Sequence, residues 1–508
     1  MVKQGMDSFI QNVPQLVPES WCLNCRICCR FPDTKEVQTP TWSSLEAEWA
    51  TEAGGKAEWF ESKALPPALQ PQLVPCEGSG YRCPAFHPET NRCGIYSVRP
   101  LDCRIYPFTL VRKAGGEEVM LAMDLKCPYL QEHGRDPETT AYSLELTQYL
   151  NSPLGQAYLK QNPSIVGSHW PEFIYVASLP ALVSAEEGSA SEPPVAGLNR
   201  LTLEQIPMLR EVFTMRRHAY SGYTPAALLG WMDLIRLWWI RMEDCLCIFA
   251  EQGGGLFMPL PPLGKISLSV VSSVWGLLHQ ANRGEGVSRI EGWEKAETRV
   301  GVDGRWVWEV GEEEYLYRTQ EVAELRGNSY RSQRGAINHC LKNRDIHCRP
   351  LEEKDFLPCM QLYTRWAIRR QQAHRHDEGY RRMMRDGLFF HRRLLKSHQE
   401  LKLLGRVFEI DGEVRGYTVG APVSERTFCI FLETADPDFV GLPQLLFREF
   451  CRELKSYALI NAMGDSGWAG LRQAKQAYRP IGMIPTFTLR IPAGGAGVDR
   501  RGFEPLAS

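Results

Sequence analysis

The sequence predicts an α+β protein in which a small cysteine-rich domain precedes modules that mix helices and strands. Nine of the 16 cysteines lie in the first quarter of the 508-residue chain. The segment Ser184–Gly197 is small, acidic and without periodicity, which is typical of a linker. Beyond it, alternating apolar runs flank Asp411 and Gly412, a strong hairpin signal, and apolar residues then recur at helical spacing from Leu442 to Leu454. We therefore predict a cysteine-rich domain at 1–183, a linker at 184–199, and two further modules at 200–345 and 346–508.

The bulk composition is that of a globular protein without a strong charge bias. The formal net charge is −2, with 44% hydrophobic and 23% charged residues, so the whole-chain charge does not indicate a nucleic-acid or membrane partner. The most apolar stretch, Ala226–Ala250, is interrupted by charged residues such as Asp233 and Arg241, which favours a buried helix and strand over a membrane span. No signal-peptide core is visible near the N-terminus. We expect a cytoplasmic protein, in which thiols stay reduced.

Four cysteines fall within eight residues, at Cys22, Cys25, Cys28 and Cys29. Two cysteines separated by two residues can direct their thiolates at one ion, which is the spacing that structural zinc sites use. Further cysteines follow at Cys83, Cys93, Cys103 and Cys127. Thiolate sites suit zinc and iron–sulfur clusters alike, so the pattern predicts a metal site and leaves zinc or iron open, the latter as an ion or a cluster. The alternative is a redox-active or simply buried set of thiols.

These segments resemble the YkgJ-type cysteine-cluster family, which is described as zinc- or iron-chelating. Beyond the first four cysteines, the matching residues are Cys83-Pro84, Cys93, Ile95-Tyr96, Arg99-Pro100, Cys103-Arg104, Tyr106-Pro107-Phe108 and Cys127-Pro128. The resemblance implies these metal ligands: Cys22, Cys25, Cys28, Cys29, Cys83, Cys93, Cys103 and Cys127. Arg26 stands where the family usually has glycine, and Cys76 lies outside the pattern. His87 is not expected to be a ligand.

Two arginines lie among the cysteines of the second segment. Several thiolates around one divalent ion leave net negative charge, which Arg99 and Arg104 could neutralise while donating hydrogen bonds to sulfur. Ordinary surface salt bridges are the alternative for both residues.

Three blocks after the linker resemble the C-terminal domain of phosphatidylglycerol lysyltransferases. They are Tyr315–His339, Phe431–Phe450 and Ile460–Pro480 within a similarity that spans about 201–492. The resemblance implies tandem GNAT-like acyltransferase modules and, in the best-known members, transfer of an aminoacyl group from tRNA to a lipid. The predicted order of hairpin, strand, helix and strand from Val407 to Asn461 is also that of a GNAT core.

The candidate site residues come from these blocks. Glu433 and Asp436 end a predicted strand, where an open α/β site normally lies. Asp465 could instead be a helix N-cap. Arg472, Lys475 and Arg479 are predicted to share one helix face and to hold a phosphate or carboxylate. The predicted catalytic residues are Glu433, Asp436 and Asp465, and the predicted substrate-binding residues are Arg331, Arg334, Asn338, Asn461, Arg472 and Lys475. Two positions depart from the family, Thr434 where lysine is usual and Met463 where an acid is usual.

One loop and one basic segment bear on the identity of the acyl donor. The loop at 435–443 has one glycine, Gly441, and two acids, which would repel the pyrophosphate of an acyl-CoA. Residues 331–406 hold 18 Lys and Arg against 8 Asp and Glu, an excess that would suit an RNA backbone or an anionic lipid surface, although a solvated helix face would show it too.

Together these features predict a metal-binding protein with a GNAT-like transferase part. An activated acyl or aminoacyl group would pass from an aminoacyl-tRNA or acyl-CoA donor to an amine or hydroxyl acceptor. The alternative is a non-catalytic metal sensor or metallochaperone whose transferase-like part only binds a ligand.

Overall fold

The computed structural model forms two compact units, each made of more than one stretch of chain. The first unit is Met1–Ala190 with Leu357–Arg392, and the second is Ser191–Phe356 with Arg393–Ser508. The structure describes residues 9–25, 27–31, 39–63, 68–76, 80–112, 119–134, 136–167, 173–179, 193–214, 218–252, 255–283, 288–295, 297–299, 306–342, 344–374 and 377–490. Most of the predicted linker, from 184 to 192, lies outside these residues. Within them, no helix has the length and apolar character that a membrane crossing requires.

The helices and strands follow the mixed order that the sequence predicts. The helices with both ends described are α1 (Glu19–Cys22), α2 (Ser44–Glu52), α3 (Leu101–Ile105), α4 (Pro128–His133), α5 (Pro137–Leu150), α6 (Pro153–Gln161), α7 (Ile206–Thr214), α8 (Pro225–Leu229), α9 (Leu268–Ala281), α10 (Thr319–Glu324), α11 (Arg331–Leu341), α12 (Phe356–Ala373), α13 (Glu378–Lys396), α14 (Leu442–Glu453) and α15 (Ala469–Gln476). The strands are β1 (Arg30–Phe31), β2 (Phe60–Lys63), β3 (Ala68–Pro71), β4 (Val74–Pro75), β5 (Tyr81–Arg82), β6 (Phe86–His87), β7 (Arg92–Cys93), β8 (Phe108–Arg112), β9 (Val119–Asp124), β10 (Phe173–Ser178), β11 (Asn199–Arg200), β12 (Arg236–Met242), β13 (Cys245–Gln252), β14 (Gly255–Phe257), β15 (Leu263–Gly264), β16 (Arg289–Glu294), β17 (Val307–Arg318), β18 (Ile346–Pro350), β19 (Leu404–Ile410), β20 (Glu413–Pro422), β21 (Thr427–Ala435), β22 (Leu459–Asn461) and β23 (Gly482–Arg490).

The first unit combines small sheets with short helices. Its sheets have the orders β10-β9-β8 and β1-β5-β4, and the pairs β2-β3 and β6-β7 form separate two-stranded ladders. The strand β9 is buried along its whole length. Helix α12 packs within this unit, where the Gln361 side chain donates to the carbonyl oxygen of Leu130 at 3.0 Å.

One buried carboxylate joins two helices of the first unit. Glu46 is 0% exposed, and it accepts hydrogen bonds from the Ser43 amide (2.8 Å), the Ser43 hydroxyl (2.9 Å) and the Leu101 amide (2.7 Å). Ser43 in turn caps the first turn of α2 through the Glu46 amide, which completes a capping box. Because Leu101 begins α3, this carboxylate holds the starts of α2 and α3 together and thereby positions Cys103 on α3.

The second unit is built around one large sheet. Its eight strands have the order β16-β23-β17-β22-β21-β20-β19-β18, and a smaller sheet contains β11-β12-β13-β14 with β15 paired to β13. The last strand, β23, returns to pair with both β16 and β17. The two predicted modules therefore share a continuous sheet. Asp411 and Gly412 form the predicted hairpin between β19 and β20, with φ of 56° and 77° as a tight hairpin turn requires.

One stretch of the predicted second module groups elsewhere. The predicted second module spans 346–508, but Leu357–Arg392 belongs to the first unit. The physical reason is long-range packing, since α12 hydrogen-bonds α4 and the Arg392 guanidinium donates to the carbonyl oxygen of Phe173 at 3.4 Å. The other predicted boundaries stay predictions.

The role of Glu46 gives a stability prediction. Glu46→Ala should lower the free energy of unfolding of the first unit by roughly 3 kcal/mol, because it leaves buried N–H groups of α2 and α3 without an acceptor. Urea unfolding of the variant measures this, with Glu52→Ala as a control at the exposed end of the same helix. Equal stability of the two variants would contradict the role given to Glu46.

Candidate functional site

The cysteines of the N-terminal segments surround one cavity in the first unit. Its volume is about 740 Å³, and its walls include every cysteine of the predicted ligand set. These are Cys22, Cys25, Cys28, Cys29, Cys83, Cys93, Cys103 and Cys127. Cys76 does not line it, and neither does His87, which lies in β6. We refer to this space as the thiol cavity.

Short-range backbone contacts bring the cysteine segments together. The Cys25 amide donates to the carbonyl oxygen of Cys22 at 3.1 Å, which closes the first turn of the cluster. The Cys83 amide donates to the carbonyl oxygen of Cys29 at 3.1 Å and so joins the second segment to the first. Cys127 is the N-cap residue of α4. The thiols are thus held by turns and helix starts from four separate segments.

Burial keeps most of these thiols protonated in the metal-free protein. It raises the pKa of Cys22 to about 11 and the pKa values of Cys83 and Cys127 to about 12. A hydrogen bond with Cys29, together with burial, raises the pKa of Cys28, although Cys28 retains exposed surface. The two findings on Cys28 are compatible, because its side chain projects into the cavity, where it is surrounded by protein and still reached by solvent. Binding a metal ion here would therefore release protons.

Arg99 is a cation in the lining of the cavity that acts on several of the thiols. Its guanidinium lies 3.6 Å from the centre of the Tyr96 ring, and its positive charge lowers the pKa values of Cys22, Cys28 and Cys93 against the effect of burial. Arg104 instead donates to the carbonyl oxygens of Ser97 and Arg99, the latter at 2.8 Å. Arg99 is thus placed as a partner for thiolates, whereas Arg104 braces the turn that carries Arg99.

The donor set of the thiol cavity fits a soft metal. Eight thiols and no described histidine line it, and thiolates are the ligands of zinc and iron–sulfur clusters. In the part of the chain that the structure describes, no three Cys, His, Asp or Glu side chains already stand in metal-binding geometry. The cavity therefore supplies the ligand chemistry without a preformed coordination polyhedron.

In the second unit, the large sheet opens between two parallel strands. β21 pairs with β22 only from Thr427 to Cys429, and Asn461 is the last partner on β22. After Asn461 the chain follows β17, because the Ala462 amide donates to the carbonyl oxygen of Tyr315 on β17 at 3.0 Å. Residues 430–435 of β21 therefore have no described strand paired with them on the side of β22. We call the space between 430–435 and 462–464 the slot.

Glu433 lies on β21 where it borders the slot. A bulge at Phe431 shifts the register between β20 and β21, which turns Glu433 to the same face as Ile430, towards α14. Burial raises the pKa of Glu433 to about 8, although its side chain keeps solvent access. A raised pKa and solvent access are compatible for a carboxylate at the border of the slot. No described residue donates a hydrogen bond to it.

Lys475 holds the opposite wall of the slot. Its ammonium group donates to the carbonyl oxygens of Ala462, Met463 and Gly464, with the Met463 distance at 3.2 Å. Burial lowers the pKa of Lys475, and the carboxylate of Glu433 is among the charges that counter this effect. Lys475 therefore connects α15 with the slot.

Asp465 sits beside this wall in a pair with Arg472. Its carboxylate accepts from the Arg472 Nε at 2.9 Å and from the Tyr315 hydroxyl at 2.6 Å, and the Arg472 bond holds its pKa down at about 2. The N-cap of α15 is Trp468, so the N-cap alternative for Asp465 is wrong. Arg479 does not share the helix face of Arg472, because α15 ends at Gln476 and Arg479 has a φ of 55°.

The remaining predicted residues do not gather at the slot through any described contact. Arg334 donates to the carbonyl oxygens of Leu325 and Gly327, the latter at 2.7 Å, where α10 ends. Asp436 is buried and accepts from Arg415 at 3.1 Å. Arg331 and Asn338 are exposed on α11.

Glu314 and Ser221, which the sequence reasoning missed, complete the buried network around Asn461. Glu314 is 4% exposed and accepts from the Asn461 side chain at 2.6 Å, the Ser221 amide at 2.8 Å and the Ser221 hydroxyl. Asn461 also donates to the carbonyl oxygen of Ala219 at 2.8 Å. The sequence signal for Glu314 is the run of three glutamates at 312–314. Because successive side chains of a strand point to opposite faces, at least one of these glutamates must point towards the interior.

Comparison with family models identifies both parts of the chain. Residues 214–490 match the model described as "Phosphatidylglycerol lysyltransferase, C-terminal", which covers more than half of the chain. The chain belongs to this family. Residues 21–128 match a second model, described as "Putative zinc- or iron-chelating domain". Both resemblances seen in the sequence are confirmed, and the protein joins a segment of the metal-chelating type to a phosphatidylglycerol lysyltransferase C-terminal domain.

Solved structures agree with the fold of the lysyltransferase domain. A conserved protein of unknown function from Bacteroides thetaiotaomicron VPI-5482 is 19% identical, covers 58% of this chain and 99% of its own, and has a TM-score of 0.52. L-PGS from Bacillus licheniformis is also similar, with 16% identity, coverage of 57% of this chain and 92% of its own, and a TM-score of 0.42. A tandem GNAT protein from the clavulanic acid biosynthesis pathway is 9% identical, covers 58% of this chain and 99% of its own, and has a TM-score of 0.35. No curated protein matches the chain. The predicted α+β class is confirmed, and the fold comparison rests on the first of these structures.

The thiol cavity gives a prediction about metal retention. Cys28→Ser and Cys103→Ser should retain roughly tenfold less zinc or iron than the unaltered protein after dialysis against a chelator, because each loses a cavity thiolate. Elemental analysis of anaerobically purified protein measures this. Cys76→Ser is the matched control and should keep its metal. Loss of metal in the Cys76 variant alone would place the site elsewhere.

Proposed function

We propose that this protein is a metal-binding transferase in which the lysyltransferase domain moves an activated acyl or aminoacyl group to an amine or hydroxyl acceptor. One observation carries the proposal, the slot between β21 and the 462–464 segment with Glu433 on its wall. Where these strands part, Glu433 has solvent access and no donor among the described residues, and it feels the charge of the buried Lys475 ammonium group, which is an arrangement suited to proton transfer.

Glu433 would serve as the proton acceptor in this reaction. The acceptor nitrogen or oxygen attacks the carbonyl carbon of the donor ester, a new amide or ester bond forms, and the donor C–O bond breaks. Glu433 takes the proton that the attacking atom loses and passes it to the leaving oxygen, which departs as a hydroxyl. A pKa of about 8 is near the working pH, where general-base catalysis is efficient.

Charge favours an aminoacyl ester of RNA over acyl-CoA as the donor. The loop that precedes α14 carries Asp436 and Asp438, and the Asp438 amide donates to Asp436 at 3.1 Å instead of facing a phosphate. Acidic groups at this helix start oppose a pyrophosphate. Within the second unit, residues 331–356 and 393–406 hold 10 Lys and Arg against 5 Asp and Glu, an excess that would attract a polyanion such as tRNA.

In the first unit, the thiol cavity would hold zinc or iron, the latter as an ion or an iron–sulfur cluster. The support is its all-thiol lining, in which Arg99 would offset the charge of bound thiolates. The all-thiol lining also suits a second candidate function, a metal sensor or metallochaperone that exchanges its ion, with the lysyltransferase domain as a ligand-binding part.

Glu433→Gln tests the proposed transfer. Amide formation from charged tRNA and a primary amine should fall roughly 10²- to 10⁴-fold, because the glutamine accepts no proton. In the unaltered protein the rate should rise with pH through about 8, where Glu433 loses its proton, and this rise should vanish in the variant. Radiolabelled transfer measured from pH 6 to pH 10 provides both results.

Glu425→Gln is the matched control, since Glu425 is exposed in the turn before the same strand. It should leave the rate and its pH dependence unchanged. If no charged tRNA or acyl-CoA supports transfer by the unaltered protein, the sensor or metallochaperone function takes its place.

A further inference from the structure

A buried hydroxyl group lies directly across the large sheet from Glu433. Thr418 on β20 is paired with Glu433 on β21 in the antiparallel ladder, so the two side chains emerge on the same face of the sheet. Thr418 is 0% exposed, and its Oγ1 makes no hydrogen bond to any residue that the structure describes. Buried hydroxyl groups normally have a partner, because burial removes the water that would otherwise satisfy them.

Of the two residues paired with Thr418, only Glu433 carries an acceptor. The other is Arg406 on β19, which pairs with Thr418 from the opposite side and shares the same face. A guanidinium group has donors but no acceptor. That of Arg406 is also engaged, because it donates to Glu453 and to the carbonyl oxygen of Gly405, both at 2.9 Å. The carboxylate of Glu433 is therefore the acceptor that the ladder places beside the hydroxyl.

Glu433 is the complement of this hydroxyl. Its carboxylate receives no hydrogen bond from the described residues, and an ionised carboxylate has about four acceptor sites. Residues directly opposite in an antiparallel ladder have Cβ atoms about 4.5–5.5 Å apart, a separation that a threonine hydroxyl and a glutamate carboxylate can bridge. A donor without an acceptor and an acceptor without a donor thus face each other on neighbouring strands.

The other titratable groups that act on Glu433 are one ammonium group and three neutral side chains among the described residues. Lys475 of α15 is the ammonium group, and it already donates to three backbone carbonyl oxygens. Burial, with the charge of Glu433 as a further cause, raises the pKa values of the neutral groups and keeps them protonated: Tyr317 of β17, Cys451 of α14 and Tyr478 beyond α15. None of these described groups donates to the Glu433 carboxylate, which leaves that part to Thr418.

We propose that Thr418 is a positioning residue for the transfer reaction, whose hydroxyl donates a hydrogen bond to the Glu433 carboxylate and fixes the orientation of that base. The bond occupies one acceptor site and leaves the others for the proton of the attacking nitrogen or oxygen. It also stabilises the ionised carboxylate, which is the form that accepts a proton. The inference rests on the proposed function, because it gives Glu433 a partner in its role as proton acceptor.

Two variants separate the hydroxyl of Thr418 from its shape. Thr418→Val keeps the branched side chain and removes the hydroxyl, whereas Thr418→Ser keeps the hydroxyl. A hydrogen bond to the ionised form lowers the pKa of a carboxyl group. Its loss in Thr418→Val should therefore move the rise of the transfer rate up by about one pH unit and lower the rate at pH 7 about tenfold, whereas Thr418→Ser should keep the original profile.

Thr319→Val is the matched control for these variants. The Thr319 hydroxyl is likewise buried without a described partner, but Thr319 begins α10 and lies outside β20 and β21. This variant should keep the pH profile of the unaltered protein. A profile that moves equally in Thr319→Val and Thr418→Val would overturn the proposal.

Carbon-13 NMR of the Glu433 carboxyl group detects the same bond without any transfer. Full-length protein labelled at the glutamate carboxyl carbon is titrated, and the Glu433 signal is assigned by its absence in Glu433→Gln. Its midpoint should lie about one pH unit higher in Thr418→Val than in the unaltered protein and in Thr418→Ser. Equal midpoints in Thr418→Val and the unaltered protein, or a Thr418→Ser that titrates like Thr418→Val, would overturn the proposal. If the unaltered protein transfers nothing, the proposed function fails, and the midpoints alone decide whether Thr418 holds the Glu433 carboxylate.

Discussion

The side-chain amide of Asn461 decides where the large sheet of the second unit opens. Its nitrogen donates to Glu314 and to the carbonyl oxygen of Ala219, and its oxygen accepts from the Met463 amide at 2.7 Å. Because Asn461 is hydrogen-bonded to Glu314 on β17 and to the Met463 amide, the chain after Asn461 follows β17 and leaves β21. Both the slot and the position of Lys475 on its wall follow from this divergence, because Lys475 binds the carbonyl groups of the segment that turns away.

Buried carboxylates organise each unit in a similar way. Burial raises the pKa values of Glu46 and Glu314, so each needs several donors to remain in the interior. Glu46 obtains them from the starts of α2 and α3, and Glu314 obtains them from Ser221 and Asn461. These acids connect elements far apart in the chain. In contrast, Glu433 has solvent access and no described donor, which distinguishes it as a candidate for chemistry.

Features with local causes could be predicted from the sequence. The Asp411–Gly412 hairpin depends on turn residues that tolerate positive φ, and the cysteine segments carry their own turns. Features that depend on long-range packing could not. Nothing in the sequence around Gln361 shows that α12 packs beside Cys127, and Arg479 leaves its expected helix face because α15 ends three residues earlier. Arg334 and Asp436 matched a family block, yet they serve a helix end and a loop.

The chain enters the first unit twice, at Met1–Ala190 and again at Leu357–Arg392, and this has a consequence for biosynthesis. A ribosome must add about 200 further residues after Ala190 before the wall of the cavity that α12 and α13 form exists, which takes roughly 10–40 s at ordinary elongation rates. During that interval the thiols face the cell without α12 and α13. Nascent chains are therefore most open to metal exchange, oxidation and chaperone capture until about two-thirds of the lysyltransferase domain has been made.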